Sequence, residues 1–436
     1  MNLAYNRREF LGQTGAGLAA ASYFVNPVAA QDSTSPNERL NIAAVGTSGR
    51  AGANIREVAS QNVVAIADID AGFLGQAGKR YPAARKYEDF RIMLEKEADR
   101  IDAVVVATPD HTHAPAAAMA LRLKKHVYCE KPLAHTVHEA RVLAELAAKN
   151  KLVTQMGTQI HAGNNYRRVV ELVQGGAIGD IREVHVWAGA KYSGAKFNTG
   201  SPLPPHVNWD LWLGPAMKRP YSTGVHPFKW RSFWDYGTGA LGDFGCHYMD
   251  LVHWALKLKH PTRISAEGPP VEDVSTPSWT IAHYEYPQRG KLPPVKLTWY
   301  DSGKRPALLA RLKDSKGNPV TKGSGQLFVG KEGMILSDYS SHRLLPEEKF
   351  VDFQPPKQTL APSVGHHREW IDAIKTGATT TCNFDYSGAL TEAVLLGTVA
   401  YRSGETIDWD GKQFKANNAP AAQKLLHKEY RKGWTL

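Results

Sequence analysis

The chain has little cysteine, no long apolar run and almost no acid near its end. Three cysteines in 436 residues (Cys129, Cys246, Cys382), with no paired spacing, exclude a disulfide framework and a zinc cluster. Each reads as a small buried apolar residue. No apolar run approaches the roughly 20 residues that a membrane helix needs, so no stable membrane anchor is expected. After Gly411, Lys412, Lys415, Lys424, Lys428, Arg431 and Lys432 stand against Glu429 alone, which accounts for much of the formal charge of +11. No recognition motif accompanies these bases, so residues 411–436 read as a solvated basic tail that could dock on a partner subunit, and nucleic acid is not an expected partner. What is present is ordinary for a large globular protein: 42% hydrophobic and 22% charged residues bury an ample core, with two domains as the natural prior. Eleven tryptophans and seventeen tyrosines, many of them between Trp187 and Trp254, suit a sugar-lined cleft as well as a core.

The first thirty residues belong to targeting. Arg7-Arg8 precedes a Gly/Ala-rich run from Thr14 to Tyr23, and Val28-Ala29-Ala30 offers small residues for cleavage before Gln31. This resembles a bacterial twin-arginine signal, a receptor-read address, and implies an extracytoplasmic location. Residues 31–38 form a polar linker. That export route resembles one used by proteins that fold around a cofactor first, so any nucleotide is expected to be held tightly.

Residues 39–157 read as a nucleotide-binding doubly wound domain. The apolar strand Leu40–Val45 runs into the turn Gly46-Thr47-Ser48-Gly49-Arg50 and then a helix, which lets backbone N–H groups and a helix start hold a pyrophosphate. The expected cofactor contacts here are Gly46, Ser48, Gly49 and Arg50. The third and sixth positions of the turn are Ser48 and Ala51, where glycines are usual, so the turn alone is a weak signal. The next strand ends at Asp68, placed to accept bonds from ribose hydroxyls and to repel a ribose phosphate, which favours NAD over NADP. A third strand delivers Thr108-Pro109-Asp110-His111-Thr112-His113, and a fourth delivers Glu130-Lys131-Pro132, to one sheet rim. His111 and His113 suit packing or hydrogen bonding beside a nicotinamide better than metal ligation, because no third ligand lies nearby.

With TPDHTHA followed by Glu130-Lys131-Pro132, the chain resembles the Gfo/Idh/MocA family, relatives of glucose-fructose oxidoreductase and inositol dehydrogenase. Trp209–Pro215, Trp230-Arg231 and Asn383–Tyr386 resemble an exported branch of it. The resemblance implies an α/β architecture: the N-terminal Rossmann sheet, then an α+β domain over 158–410 with a large, mostly antiparallel open sheet. Strand-like runs at Ile181–Ala190, Trp279–Tyr286, Val295–Tyr300 and Leu327–Val329 agree. It also implies catalytic roles for Lys131 and for the Asp-x-x-x-His pair Asp243 and His247, which share a helix face if the helix has begun by Asp243. Asp250 reads either as a supporting partner or as a structural acid. Thr108, Pro109, His111, His113, Glu130, Lys131 and Gln159 complete the expected cofactor site, and Lys191, Trp230 and Arg231 the substrate site. A homodimer or homotetramer is implied as well. His366-His367 reads as a helix start near the cleft or on the surface.

Together these imply an NAD-dependent oxidoreductase acting on a sugar, glycoside or polyol hydroxyl. His247 would take the hydroxyl proton, oriented by Asp243, while Lys131 holds the oxygen. A tightly held cofactor that is reset within each cycle leaves a second reading, a glycosidase working by transient C3 oxidation and elimination. A cofactor-binding regulator without catalysis is the third.

Overall fold

Six short strands account for the first part of the chain: β1 (Asn41–Val45), β2 (Asn62–Ala67), β3 (Arg85–Tyr87), β4 (Ala103–Val106), β5 (His126–Glu130) and β6 (Thr154–Gly157). The computed structural model describes residues 38–190, 194–320 and 322–436, so the twin-arginine segment, nearly all of the linker and Lys191 lie outside the described residues. The strands are parallel throughout and run β3-β2-β1-β4-β5-β6. Alternate residues serve the two faces. Ala43, Val45, Val104 and Val106 pack beneath the helices Asp110–Arg122 and Val137–Asn150, while Ile42, Ala44, Val105 and Tyr128 pack against Ile55. Burial on both faces explains why these strands read as unbroken apolar runs. The order reverses between β1 and β4, and the crevice opened there is where such sheets take ligands.

The second sheet has nine strands in the spatial order His342–Leu345, Met334–Ser337, Gly325–Gly330, Ile181–Ala188, Val295–Asp301, Ile281–Tyr286, Arg263–Glu267, Ile407–Asp410 and Lys415–Ala416. Only Ile181–Ala188 with Val295–Asp301 is a parallel pair; the rest are antiparallel. The four runs anticipated from sequence are all strands here, shifted by a residue or two at their ends. Against this sheet lie the helices Gly239–Leu256 and Phe384–Ser403. They approach closely because Gly245 has no side chain: a Cβ there would meet Val394 Cγ1 at 2.8 Å.

Two segments from late in the chain return to the nucleotide-binding sheet. The helix His366–Thr376 inserts Trp370 and Ile371 into the face formed by Ile42, Ala44 and Tyr128. The second corrects in part the reading of 411–436 as a solvated basic tail: four of its bases are exposed, yet the segment is anchored. Ala419, Ala422, Leu426 and Trp434 are buried, Lys428 Nζ lies 2.9 Å from Glu139 Oε1, and Arg431 pairs with Asp210. Lys428 and Arg431 are answered by acids far away in sequence, while Lys412, Lys415, Lys424 and Lys432 are exposed; Ala419, Ala422 and Leu426 keep a helical spacing about the short helix Pro420–Leu425.

Candidate active site

The turn after β1 is shaped by glycine. Gly46 has φ +88°, and a Cβ there would stand 2.6 Å from the Ala107 carbonyl oxygen, so a side chain is excluded on both counts. Asp68 Oδ2 accepts from the Thr47 N–H at 2.8 Å and from the Thr47 hydroxyl at 2.7 Å, while Oδ1 accepts from the Asp70 N–H at 3.0 Å. This carboxyl bolts the glycine turn to the end of β2. Burial raises its pKa, and the Asp70 and Thr47 hydrogen bonds offset part of that rise. Ser48 precedes the helix Gly49–Glu57 without capping it through its side chain, leaving the first N–H groups to an incoming anion.

A cleft of about 650 Å³, within the usual size of a cofactor or substrate site, opens above this turn. Gly46, Ser48, Gly49, Arg50, Asp68, Thr108, Pro109, His113, Glu130, Lys131, Trp230, Arg231, Asp243 and His247 all line it. The rimless glycine turn, the acid at the end of β2 and the free helix start fit a dinucleotide.

Two expected cofactor residues are not in the cleft wall. His111 is buried, with Nε2 2.9 Å from the Trp212 carbonyl and its ring against Trp212 and Tyr236, so it braces the two halves of the molecule. Gln159 donates to Tyr128 Oη at 2.8 Å and to Glu130 Oε1 at 2.7 Å, acting behind the wall. The same Glu130 oxygen accepts from Asn54 Nδ2 at 2.8 Å, and Gly157 leaves room for the carboxylate, since a Cβ there would meet Oε1 at 2.5 Å. His113 spans the rim, its ring nitrogens each 2.8 Å from the carbonyls of Pro132 and Thr108; burial lowers its pKa to about 4.

Lys131 Nζ donates to Asp243 Oδ1 and to the Asp243 carbonyl, both at 2.7 Å. Arg231 Nε reaches the same Oδ1 at 3.2 Å, and its guanidinium lies 4.1 Å from the Trp230 ring centre. Burial alone would raise the Asp243 pKa; Lys131 and Arg231 outweigh it and hold the carboxyl below its usual range. The sequence spacing suggests that Asp243 orients His247, and the structure turns the Asp243 carboxylate to Lys131 and Arg231 instead. Asp243 is committed to the two cations, and His247 Nδ1 is a buried atom without a hydrogen-bond partner. Burial, followed by Lys131, lowers the His247 pKa, so the imidazole is neutral at pH 7 and does not titrate there.

Asp250 takes the structural alternative. It accepts from Tyr386 Oη at 2.7 Å and sits 2.9 Å from His161 Nδ1. His161, Asp250 and Cys382 bring ligand atoms within 4.8 Å of one another, yet burial drives the Cys382 thiol well above its ordinary pKa and the other two already bond each other. The cluster is not on the cleft. His366 and His367 are likewise buried rather than on the surface, His366 Nε2 2.7 Å from the Met156 carbonyl and His367 stacked on Tyr128.

Sequence reasoning passed over Asp110. It lines the cleft, accepts from the Thr238 hydroxyl at 3.0 Å, and keeps its other oxygen buried without a partner. Burial and then Asp243 raise its pKa to about 7. Its position directly after Thr108-Pro109 was the available signal. Also missed were His226, Pro227 and Phe228, which reach the cleft from the second part of the chain; His226 Nε2 is 3.1 Å from Asp70 Oδ2. They lie within the aromatic-rich stretch that composition had marked.

Comparison with known proteins identifies the family and the fold. Residues 40–158 match the Gfo/Idh/MocA model for an oxidoreductase family with an NAD-binding Rossmann fold. Residues 168–292 match the companion model for the family's C-terminal alpha/beta domain. An inositol 2-dehydrogenase of Rubrobacter xylanophilus is 37% identical over 149 residues, 33% of this chain and 42% of that protein. A levoglucosan dehydrogenase of Pseudarthrobacter phenanthrenivorans is 28% identical over 43% of this chain and 41% of its own length. The alignments therefore span about two fifths of these curated relatives. Among solved structures, the WlbA dehydrogenase of Bordetella pertussis, in complex with NADH and UDP-GlcNAcA, shares the fold with a TM-score of 0.59 at 16% identity, over 85% of this chain and 99% of that one. A myo-inositol 2-dehydrogenase of Lactobacillus plantarum does so with a TM-score of 0.55 at 14% identity, over 85% and 100%.

Proposed function

The chain belongs to the Gfo/Idh/MocA family of oxidoreductases, and on that premise we propose that it moves hydride between NAD and a hydroxyl-bearing carbon of a sugar or polyol. The observation that carries the reading is the Lys131–Asp243 contact at 2.7 Å in the wall of the same cleft as the Asp68-bolted glycine turn. A bound nicotinamide supplies the hydride acceptor. Asp68 would receive the ribose hydroxyls and the turn Gly46–Arg50 the pyrophosphate. Lys131 and Arg231, two cations against one carboxylate, leave a positive wall where an alcohol oxygen gains negative charge. Asp243 fixes where the Lys131 ammonium points. His247, neutral at pH 7, accepts the hydroxyl proton.

Sugar and polyol substrates are supported by the dehydrogenases named above and by the aromatic residues Trp212, Phe228 and Trp230 in the cleft wall. Export is supported by Arg7-Arg8 and the short apolar run behind them, and self-association by the family resemblance. The test is mass spectrometry of nucleotide released from the purified protein, followed by a panel of sugars, polyols and glycosides. NAD and a substrate-dependent change in nicotinamide absorbance are expected. Release of an aglycone from glycosides without any net redox change would remove the oxidoreductase reading in favour of a hydrolase.

A further inference from the structure

Segment 426–436 crosses the nucleotide-binding part of the molecule and is fastened along its whole length. The His138 N–H donates to the Leu426 carbonyl at 3.1 Å. Lys428 Nζ and Tyr430 Oη both reach Glu139 Oε1, at 2.9 and 2.6 Å. Arg431 Nε donates to the Gly214 carbonyl at 3.1 Å, next to the aromatic helix Trp209–Leu213. Arg91 donates to the Gly433 carbonyl at 2.9 Å, and Arg122 to the Leu436 carbonyl at 2.7 Å. These fastenings deliver one side chain to the cleft. Trp434 is 8% exposed, packs its ring 5.9 Å from that of Phe90, lies 4.1 Å beneath the Arg91 guanidinium, and forms part of the same wall as Gly46 and Asp68.

The end of the cleft it closes can be located. Phe90 lies three residues past Tyr87, and the Tyr87 carbonyl accepts from the Asp68 N–H at 3.1 Å. Trp434 therefore stands on the Asp68 side of the cleft. Resting on the NAD reading above, we propose that Trp434 is a cofactor-site residue walling the adenosine end, and that segment 426–436 is a strap that governs how slowly the dinucleotide leaves. An aromatic wall offers a purine a flat apolar face. Because the strap is held by separate bonds to Glu139, Gly214, Arg91 and Arg122, opening that end requires local unfolding of the segment. Affinity changes of this kind appear mainly in the dissociation rate.

The experiment uses the full chain. Protein loaded with NAD is chased with excess unlabelled NAD, and loss of labelled nucleotide is followed for the native protein, Trp434→Ala, Trp434→Phe and Arg431→Ala. Thermal unfolding of the nucleotide-free forms serves as the folding control. Trp434→Ala and Arg431→Ala should release NAD about ten-fold faster or more, and Trp434→Phe should restore most of the slow release. Should Trp434→Ala fail to fold, Arg431→Ala reads the same property from the rim of the strap. Equal release rates in native and variant proteins would overturn the strap while leaving the cofactor reading intact. Native protein that takes up no NAD would instead overturn the cofactor reading itself, and the strap with it.

Discussion

Lys131 Nζ and Asp243 Oδ1 lie 2.7 Å apart, joining the end of β5 to a helix that starts more than a hundred residues later. Both side chains are largely buried, so the pair fixes the geometry of the site and also loads the fold with charge. Removing one partner of such a pair strands the other.

Lys131→Met should therefore lower turnover by at least about 10³-fold while NAD remains bound, and should reduce stability by about 3 kcal/mol because Asp243 loses its nearest cation. Lys131→Arg should not rescue the rate, since a planar fork does not reproduce a point ammonium bonded to both the carboxylate and the carbonyl of Asp243. Steady-state kinetics, bound-nucleotide content and urea unfolding check the three parts separately.

Asp110 should leave a signature in the pH dependence of stability. Burial, then Asp243, raises its pKa to about 7, whereas an unfolded chain releases that proton near 4. The folded state thus holds an extra proton between these values, and the contribution of this group falls as pH rises from about 4 to about 7, then levels. Asp110→Asn should be more stable than the native protein above pH 7, with the gap closing toward pH 4. Urea unfolding across that range is the check, and an offset independent of pH would contradict it.

Asp68→Asn should weaken NAD binding by about ten-fold and narrow the preference over NADP, because the negative charge facing a ribose phosphate is gone. The loss should be felt in the turn too, where the carboxylate now holds the Thr47 N–H and hydroxyl. Binding titrations with both nucleotides measure it.

Gly46→Ala should abolish cofactor binding. Its Cβ would meet the Ala107 carbonyl oxygen at 2.6 Å in a backbone already at φ +88°, at a cost of about 1–3 kcal/mol in strain. Nucleotide content and thermal unfolding of the variant report the two effects.

The strands β1, β2, β4 and β5 were legible in the sequence because burial on both faces writes them as apolar runs. β3, Arg85–Tyr87, is short and polar at the sheet edge, and β6, Thr154–Gly157, carries no apolar period, so neither announced itself. Most of the candidate site was legible as well, since motifs placed Lys131, Asp68 and the glycine turn. The partner of Asp243 was not: four-residue spacing points to His247, and a tertiary cation took its place. The strap was hidden for the same reason, Lys428 and Arg431 being matched to Glu139 and Asp210 only after folding. Local sequence reports local periodicity and says nothing of which distant charge will answer a given one.

The central claim is that one cleft passes hydride from a substrate carbon to a nicotinamide under the control of Lys131. The most direct measurement starts from a substrate found in the panel, carries deuterium on its carbinol carbon, and asks by mass spectrometry where the label goes in a single turnover. Deuterium is expected in the nicotinamide released from the native protein and none from Lys131→Met, although that variant still holds NAD. Product formed without label entering the nucleotide, or label transferred equally well by Lys131→Met, would contradict it.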